Sequence, residues 1–289
     1  MSYEQGYSLF SKSIRVRKVA AVQMNVAFSN VGSNVQTVVR HLGNLAKHKV
    51  DLVVFPEAAL TGYCFDDLES ALQVAIDSAV SSPVVPTPLD QIQNACDLHN
   101  IIAVVGFAEK SGTKLFNSVA LFEPGEPRKI YRKTHLPFLG MDRFATPGDE
   151  LVVWDCSVGK VAPLICFDLR PPEAARTLAL DGAEILLVPT NWPEGAENSA
   201  EHTAIARAYE NHVFVITCNR VGTENGFRFI GKSKIIHASG KVLAAAEAFE
   251  VVLIAEIDPS ESNRKRVVNI PGAYEVEVLN CRRSNLYRL

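Results

Sequence analysis

Three short segments, far apart in the chain, carry residue types that together could hydrolyse a carbonyl compound: Phe55-Pro56-Glu57, Tyr131-Arg132-Lys133 and Leu164-Ile165-Cys166-Phe167-Asp168. Glu57 follows the run Asp51-Leu52-Val53-Val54-Phe55, and Cys166 follows Val161-Ala162-Pro163-Leu164-Ile165. Runs of this kind read as buried strands, and open α/β sheets place their chemistry at strand exits. A carboxylate, an ammonium and a thiol converging there suit acyl transfer through a thioester.

Taken singly, each segment has a bland reading beside the chemical one. Pro56 stops a ladder from continuing normally, and Ala58, Ala59 and Leu60 leave Glu57 little water, which raises a carboxyl pKa and makes a better base near neutral pH. Glu57 also reads as a helix N-cap or a surface acid. Lys133 lies among Lys129, Arg132 and His135, a pattern that alone describes a solvated edge; as a fixed ammonium it would hold a tetrahedral oxyanion. Cys166 at a strand-to-helix junction would gain from the helix dipole and free N–H groups, whereas a cysteine inside a strand is an inert small hydrophobe. Cys64 and Cys218 lie near strand ends without charged context and read as packing.

The elements that must position these residues alternate. Val19–Gln23 reads as a first buried strand, Ser33–Lys47 as a helix with Val35, Val38, Val39, Leu42 and Ala46 on one side, and Asp51–Phe55 as the second strand. Asp67 opens a helix with Leu68, Ala71, Leu72, Ala75 and Ile76 on one face. Thr87-Pro88-Leu89-Asp90 reads as a capping box starting a helix to about His99. Ile101–Phe107 and Asn117–Phe122 read as strands. In the second half, Lys160–Phe167, Ala183–Pro189, His212–Asn219, Phe229–His237, Lys241–Ala245 and Val251–Ile257 read as strands, with helices at Pro171–Asp181 and Ser199–Asn211. A strand-helix-strand-helix-strand-strand order thus occurs twice. An α/β fold of two packed sheets with outer helices fits this better than one sheet of a dozen strands. No Gly-, Ser- or Pro-rich linker separates the halves, so one domain is expected over 18–289, after a polar tail at 1–17 and with a C-terminal extension from about 269.

Composition removes several classes of function. The 289 residues are 47% hydrophobic, enough for a large core, and 29 basic against 32 acidic residues form no basic stripe for nucleic acid. The six cysteines contain no Cys-x-x-Cys pair, which argues against zinc ribbons and thioredoxin-type redox motifs. A polar N-terminus and no apolar run near the ~20 residues of a membrane span lead us to expect a cytoplasmic protein without membrane association.

Together the segments resemble the nitrilase superfamily of carbon–nitrogen hydrolases. The resemblance runs from Val19–Met24 to Arg282–Tyr287 and includes Pro56–Tyr63, Arg132–Pro137, Thr146–Asp149, Cys166–Glu173 and Pro189–Pro193, all in the family's order. It implies a four-layer αββα sandwich with Glu57 as general base, Lys133 as oxyanion stabiliser and Cys166 as nucleophile. The Phe167 N–H would be a second oxyanion donor. Asp168 and Arg170 would pair to fix the nucleophile turn. Many members carry a further glutamate in the loop after the lysine; here 138–145 holds only Asp142. Asp142 either takes that role with shorter reach, leaves it unfilled, or pairs with a nearby arginine. Tyr63, Phe65, Phe138, Met141 and Trp192 are pocket candidates that also read as packing, and Asn191 is a candidate hydrogen-bonding group for substrate.

Cys166-Phe167-Asp168-Leu169-Arg170 resembles the amidase branch, with its ω-amidase-like enzymes, rather than the Cys-Trp-Glu of nitrile-hydrolysing members. The resemblance therefore implies conversion of a small carboxylic amide to an acid and ammonia, with neither metal nor organic cofactor, in a homodimer or larger homo-oligomer. N-carbamoyl compounds and nitriles are alternative substrates. Leu60–Leu68 resembles glutamine-hydrolysing modules that feed ammonia to a partner, and a non-catalytic scaffold is the remaining alternative.

Overall fold

The computed structural model describes residues 16–82 and 84–288. The expected tail at 1–17 therefore lies almost wholly outside the described residues. The first half comprises β1 (Arg17–Gln23), α1 (Val31–Lys47), β2 (Leu52–Val54), α2 (Leu68–Val74), β3 (Ile76–Asp77), α3 (Pro88–His99), β4 (Ile102–Ser111), β5 (Lys114–Phe122) and β6 (Lys129–Arg132). Then come β7 (Trp154–Cys156), β8 (Gly159–Pro163), α4 (Pro172–Leu180), β9 (Ile185–Pro189), α5 (Ala204–Asn211), β10 (Phe214–Cys218), β11 (Val221–Glu224) and β12 (Phe227–Ile230). The chain finishes with β13 (Lys234–Ile236), β14 (Val242–Ala245), β15 (Val251–Ile257), β16 (Arg266–Ile270) and β17 (Tyr274–Glu277).

Two mixed sheets result, one ordered β15-β1-β2-β4-β5-β6 with β3 beside β4, the other β14-β13-β10-β9-β8-β7. Side chains alternate along each strand, and this decides the layers. Val19, Ala21, Leu52 and Val54 of the first sheet meet Ile185, Leu187, Phe214 and Ile216 of the second in one core. Their neighbours Ala20, Val22 and Val53 face Val35, Val38 and Leu42 of α1 and Leu89 and Ile92 of α3. On the far side Ala162, Leu186, Val188 and Val215 pack on α4 and α5. The fold is thus the four-layer αββα sandwich.

Three readings of the chain are corrected. Val251–Ile257 belongs to the first sheet, where β15 lies antiparallel to β1 from Arg17↔Ile257 to Gln23↔Val251. The other flank of β1 is taken by β2, so β15 satisfies backbone groups that would otherwise form a bare edge. The segment 229–237 is two strands, broken at Gly231, whose φ of +64° ends the first ladder. The helix opened by Asp67 stops at Val74, and Ile76 enters β3.

The capping box that opens α3 is present. Thr87 Oγ1 accepts from the Asp90 N–H at 3.2 Å, and the Asp90 carboxylate accepts from the Thr87 N–H at 3.0 Å. Among the described residues no helix is long and apolar enough to cross a membrane. Thr87→Ala is expected to cost about 1 kcal/mol of stability, the usual value of such a cap, read from the urea midpoint at unchanged m-value.

Candidate active site

Strand direction gathers the site. β2 and β4 run parallel, and the two antiparallel pairings β4–β5 and β5–β6 reverse the chain twice, so β6 points the same way as β2. Glu57 follows the end of β2 and Lys133 the end of β6. Cys166 follows β8 of the opposing sheet, in a four-residue 3₁₀ turn, Cys166–Leu169. Gly106 on β4 lets the Glu57 segment come close: a Cβ there would lie 2.5 Å from the Ala58 nitrogen and 2.8 Å from the Glu57 Cα.

Lys133 is fully buried, and its Nζ lies 2.7 Å from Glu57 Oε1 and 2.5 Å from Asp142 Oδ2. The solvated-edge reading of Lys133 therefore fails, because the side chain leaves β6 on the inward face while Arg132 takes the outward one. Arg132 grips the buried Glu109 through Nε and Nη2, each at 2.8 Å. Glu109 also accepts from Ser78 and Ser118, and although burial opposes its charge, these bonds hold its carboxyl below the ordinary value. Beneath the lysine, the Lys133 N–H donates to the Asn117 carbonyl at 2.8 Å.

Asn117 is the central residue that the sequence reading passed over. Its Nδ2 donates to Glu57 Oε1 at 2.7 Å and to Asp142 Oδ1 at 2.8 Å, so one amide holds both carboxylates. The signal was present: Asn117 and Ser118 are polar residues inside the otherwise apolar run Leu115–Phe122. Glu57 Oε1 is occupied by Lys133 and Asn117, whereas the buried Oε2 has no hydrogen-bond partner among the described residues.

Asp142, in a 3₁₀ turn over Gly140–Arg143, is buried and receives the Tyr63 hydroxyl on Oδ2 at 2.8 Å. The arginine alternative for Asp142 falls, since Arg143 donates to the Gly140 and Phe65 carbonyls. Burial opposes the Lys133 charge, but Asp142 and Glu57 outweigh it and hold the ammonium well above its ordinary pKa. Burial raises Glu57, with Lys133 pulling against it. Tyr63 is raised by burial and then by Asp142, so it remains a donor.

Cys166 has φ +48°, a left-handed conformation that strains a non-glycine residue. Asp168 holds this turn: its Oδ2 accepts from the Ile165 N–H at 3.0 Å and the Tyr131 hydroxyl at 2.9 Å, and its Oδ1 accepts from the His135 N–H at 2.8 Å. The expected Asp168–Arg170 pair does not form, because the carboxylate is spent on these partners. Burial, then the Glu57 charge, push the Cys166 thiol well above its ordinary value, while Lys133 and the Asn191 N–H act in the opposite sense. This corrects the helix-dipole expectation: α4 begins only at Pro172, and a single 3₁₀ turn carries little dipole.

A cleft of about 420 Å³ opens on Cys166 and is lined by Phe167, Arg170, Trp192, Pro193 and Leu139, among others. Phe167 and Trp192 thus lie at the cleft. Asn191, next to Trp192, is buried, and neither polar atom of its carboxamide has a partner among the described residues. Phe138 is 89% exposed and lines a separate depression with Phe65, Arg143 and Phe227. Met141 and Phe65 are buried in an apolar cluster with Tyr63 and Leu115. Phe138, Met141 and Phe65 therefore lie outside the cleft: Phe138 is turned to solvent, and Met141 and Phe65 are packed into the apolar cluster. Among the described residues no group of His, Cys, Asp and Glu is arranged to hold a metal ion.

Sheet order, layers and the cluster at the sheet ends together define a nitrilase-like αββα protein. The chain belongs to the carbon-nitrogen hydrolase family, which it matches over residues 18–266. It is 37% identical over 260 residues to a protein of Pyrococcus abyssi named nitrilase, covering 89% of this chain and 96% of the relative. It is 36% identical over 210 residues to an (R)-stereoselective amidase of a Pseudomonas species, covering 72% and 73%. A nitrilase-superfamily protein of Saccharomyces cerevisiae superposes with a TM-score of 0.74 at 25% identity, covering 90% of this chain and 96% of the other.

The buried triple of two carboxylates and one ammonium makes a stability prediction. Lys133→Met leaves Glu57 and Asp142 uncompensated and is expected to cost roughly 3–5 kcal/mol near neutral pH. Burial already raises the Glu57 carboxyl, and the variant removes the lysine that pulls against this, so folding binds a proton and the deficit shrinks as pH falls. Urea denaturation at pH 8 and pH 5.5 checks this; an equal deficit at both would refute it.

Proposed function

We propose that this chain is a cysteine-dependent hydrolase of small carboxylic amides, using Cys166 as nucleophile, Glu57 as general base and acid, and Lys133 as oxyanion stabiliser. The observation that carries the reading is the asymmetry of Glu57. Oε1 is pinned by Lys133 and Asn117, and the buried Oε2 has no partner among the described residues. A group held this way has one fixed orientation and one oxygen available for a proton.

The electrostatics fit that division of labour. Cys166 is raised, so it rests as a thiol and needs a base to become nucleophilic. Glu57 Oε2 takes the thiol proton as the sulfur attacks the amide carbon. The negative charge moves from the carboxylate to sulfur and then to the carbonyl oxygen. Lys133 has three N–H bonds; Glu57 and Asp142 take two, and the third is available to the oxyanion, with the Phe167 N–H as the other donor. Glu57 returns its proton to the departing nitrogen, leaving a Cys166 thioester and free ammonia. Water, deprotonated by Glu57, then attacks the thioester and frees the acid and the thiol.

The cleft narrows the acyl group. Arg170 lines it, and no carboxylate among the described residues pairs with its guanidinium, which stands 5.7 Å from the Phe167 ring. An amide whose acyl chain ends in a carboxylate would set that charge against Arg170. The buried Asn191 carboxamide, adjoining Cys166 through its backbone, offers a donor and an acceptor to the polar part of such a substrate. A second reading, nitrile hydrolysis through a thioimidate on the same sulfur, is favoured by the name of the Pyrococcus abyssi relative.

With a panel of amides, carbamoyl amino acids and nitriles scored by ammonia release, monoamides of short dicarboxylic acids are expected to be fastest; nitriles turned over faster would select the second reading. Cys166→Ala is expected to lose at least roughly 10³-fold in turnover and to show no acyl adduct by mass spectrometry. The acid limb of kcat/KM should lie above the ordinary glutamate range, because Glu57 is raised by burial and must be ionised to act. Arg170→Ala is expected to raise KM roughly ten-fold for a carboxylate-bearing amide and to leave that for an uncharged amide within about two-fold. Equal changes for both would remove Arg170 from substrate recognition.

A further inference from the structure

We propose that the buried Arg220–Glu224 ion pair at the β11–β12 hairpin is a positioning device for Lys133, acting through Tyr63 and Asp142. This rests on the reading of Glu57, Lys133 and Cys166 given above.

The pair is remote from the reacting atoms yet almost fully enclosed, each side chain being 1% exposed. One oxygen of Glu224, Oε1, accepts the successive backbone N–H groups of Tyr63 at 2.7 Å and Cys64 at 2.6 Å. The other, Oε2, holds Arg220 Nη1. Arg220 is anchored in turn by the Val26 carbonyl at 3.0 Å and by the Phe229 ring, 4.5 Å from its guanidinium carbon. The turn of the same hairpin takes the neighbouring carbonyl, with Asn225 Nδ2 donating to Cys64 O at 2.7 Å. The loop that follows β2 is therefore gripped on both its N–H and C=O sides by the β11–β12 hairpin.

From that grip a single chain of contacts leads to the ammonium. The Tyr63 carbonyl accepts the Met141 N–H at 2.8 Å, and the Tyr63 hydroxyl donates to Asp142 Oδ2 at 2.8 Å. Both ends of Tyr63 thus hold the Gly140–Arg143 turn. Asp142 Oδ2 is also the oxygen that lies 2.5 Å from Lys133 Nζ. Removing charges from water costs more than a buried pair generally returns in stability, so a pair placed here is better understood by what it fixes. If Tyr63 shifts, Asp142 Oδ2 loses a donor and draws harder on Lys133. Less of the ammonium's charge then reaches Cys166 and the oxyanion.

The test compares Glu224→Gln, Tyr63→Phe and their combination, with Arg220→Lys as a charge-conserving variant should Glu224→Gln fail to fold. Two readouts are used on full-length protein: steady-state amide hydrolysis, and the pH dependence of Cys166 alkylation by iodoacetamide, which needs no substrate. Each single variant is expected to lose roughly ten-fold in kcat with KM within about three-fold, and to shift the alkylation midpoint upward. Because the residues act in series, the double variant should be no slower than about the worse single one. A folded Glu224→Gln or Arg220→Lys protein with wild-type turnover and alkylation profile would overturn the proposal, as would multiplicative losses in the double variant. Wild-type protein that alkylates at Cys166 but hydrolyses no amide or nitrile would instead overturn the proposed function, and the alkylation comparison would still decide the role of the pair.

Discussion

An ammonium with no solvent exposure has to be neutralised where it stands, and that requirement organises this molecule. Lys133 meets it with two carboxylates, Glu57 and Asp142, which would repel each other without the lysine between them. Asn117 divides its two amide hydrogens between the same carboxylates and so sets their separation. Burial first, and then the Glu57 charge, disfavour a negative charge on the nearby sulfur, so Cys166 is raised. A resting thiol beside an oriented carboxylate is the state from which general-base attack begins.

The second constraint is mechanical and runs through Asp168. Its carboxylate fixes the Ile165 N–H just before the left-handed Cys166 and also binds the His135 N–H just after Lys133. Tyr131, two residues before the lysine, donates to it as well. The nucleophile turn of one sheet and the lysine segment of the other are thus referred to the same two oxygen atoms. Strain at Cys166 persists because its surroundings over-determine it. A fixed turn also spares the sulfur a search for position.

Family membership explains the αββα frame and the placing of the cluster at the sheet ends, but one frame serves many substrates. Two features at the rim of the site and behind it bear on substrate and geometry. Arg170 brings to the cleft a cation that no carboxylate among the described residues pairs. Arg220 and Glu224 tie the loop that carries Tyr63 to the β11–β12 hairpin.

Much of this was legible in one dimension because it depends on local periodicity. The strands bearing Val19–Gln23 and Val251–Ile257, the stripe of α1 and the Thr87–Asp90 box follow from side-chain alternation, helical spacing and short-range hydrogen bonds. The order of the three motif segments likewise picked out Glu57, Lys133 and Cys166, which the fold brings to one set of sheet ends. What only tertiary structure decided concerns partners distant in sequence. Asp142 turns to Lys133 instead of an arginine, Asp168 turns to Tyr131 and His135 instead of Arg170, and β15 returns to β1 across most of the chain. Phe138 and Met141 adjoin the same loop, yet one faces solvent and the other an apolar cluster. Residue type and spacing set which groups are present and which strand ends carry them. The direction of a loop side chain, and the charge a buried group can keep, depend on atoms that only folding brings near.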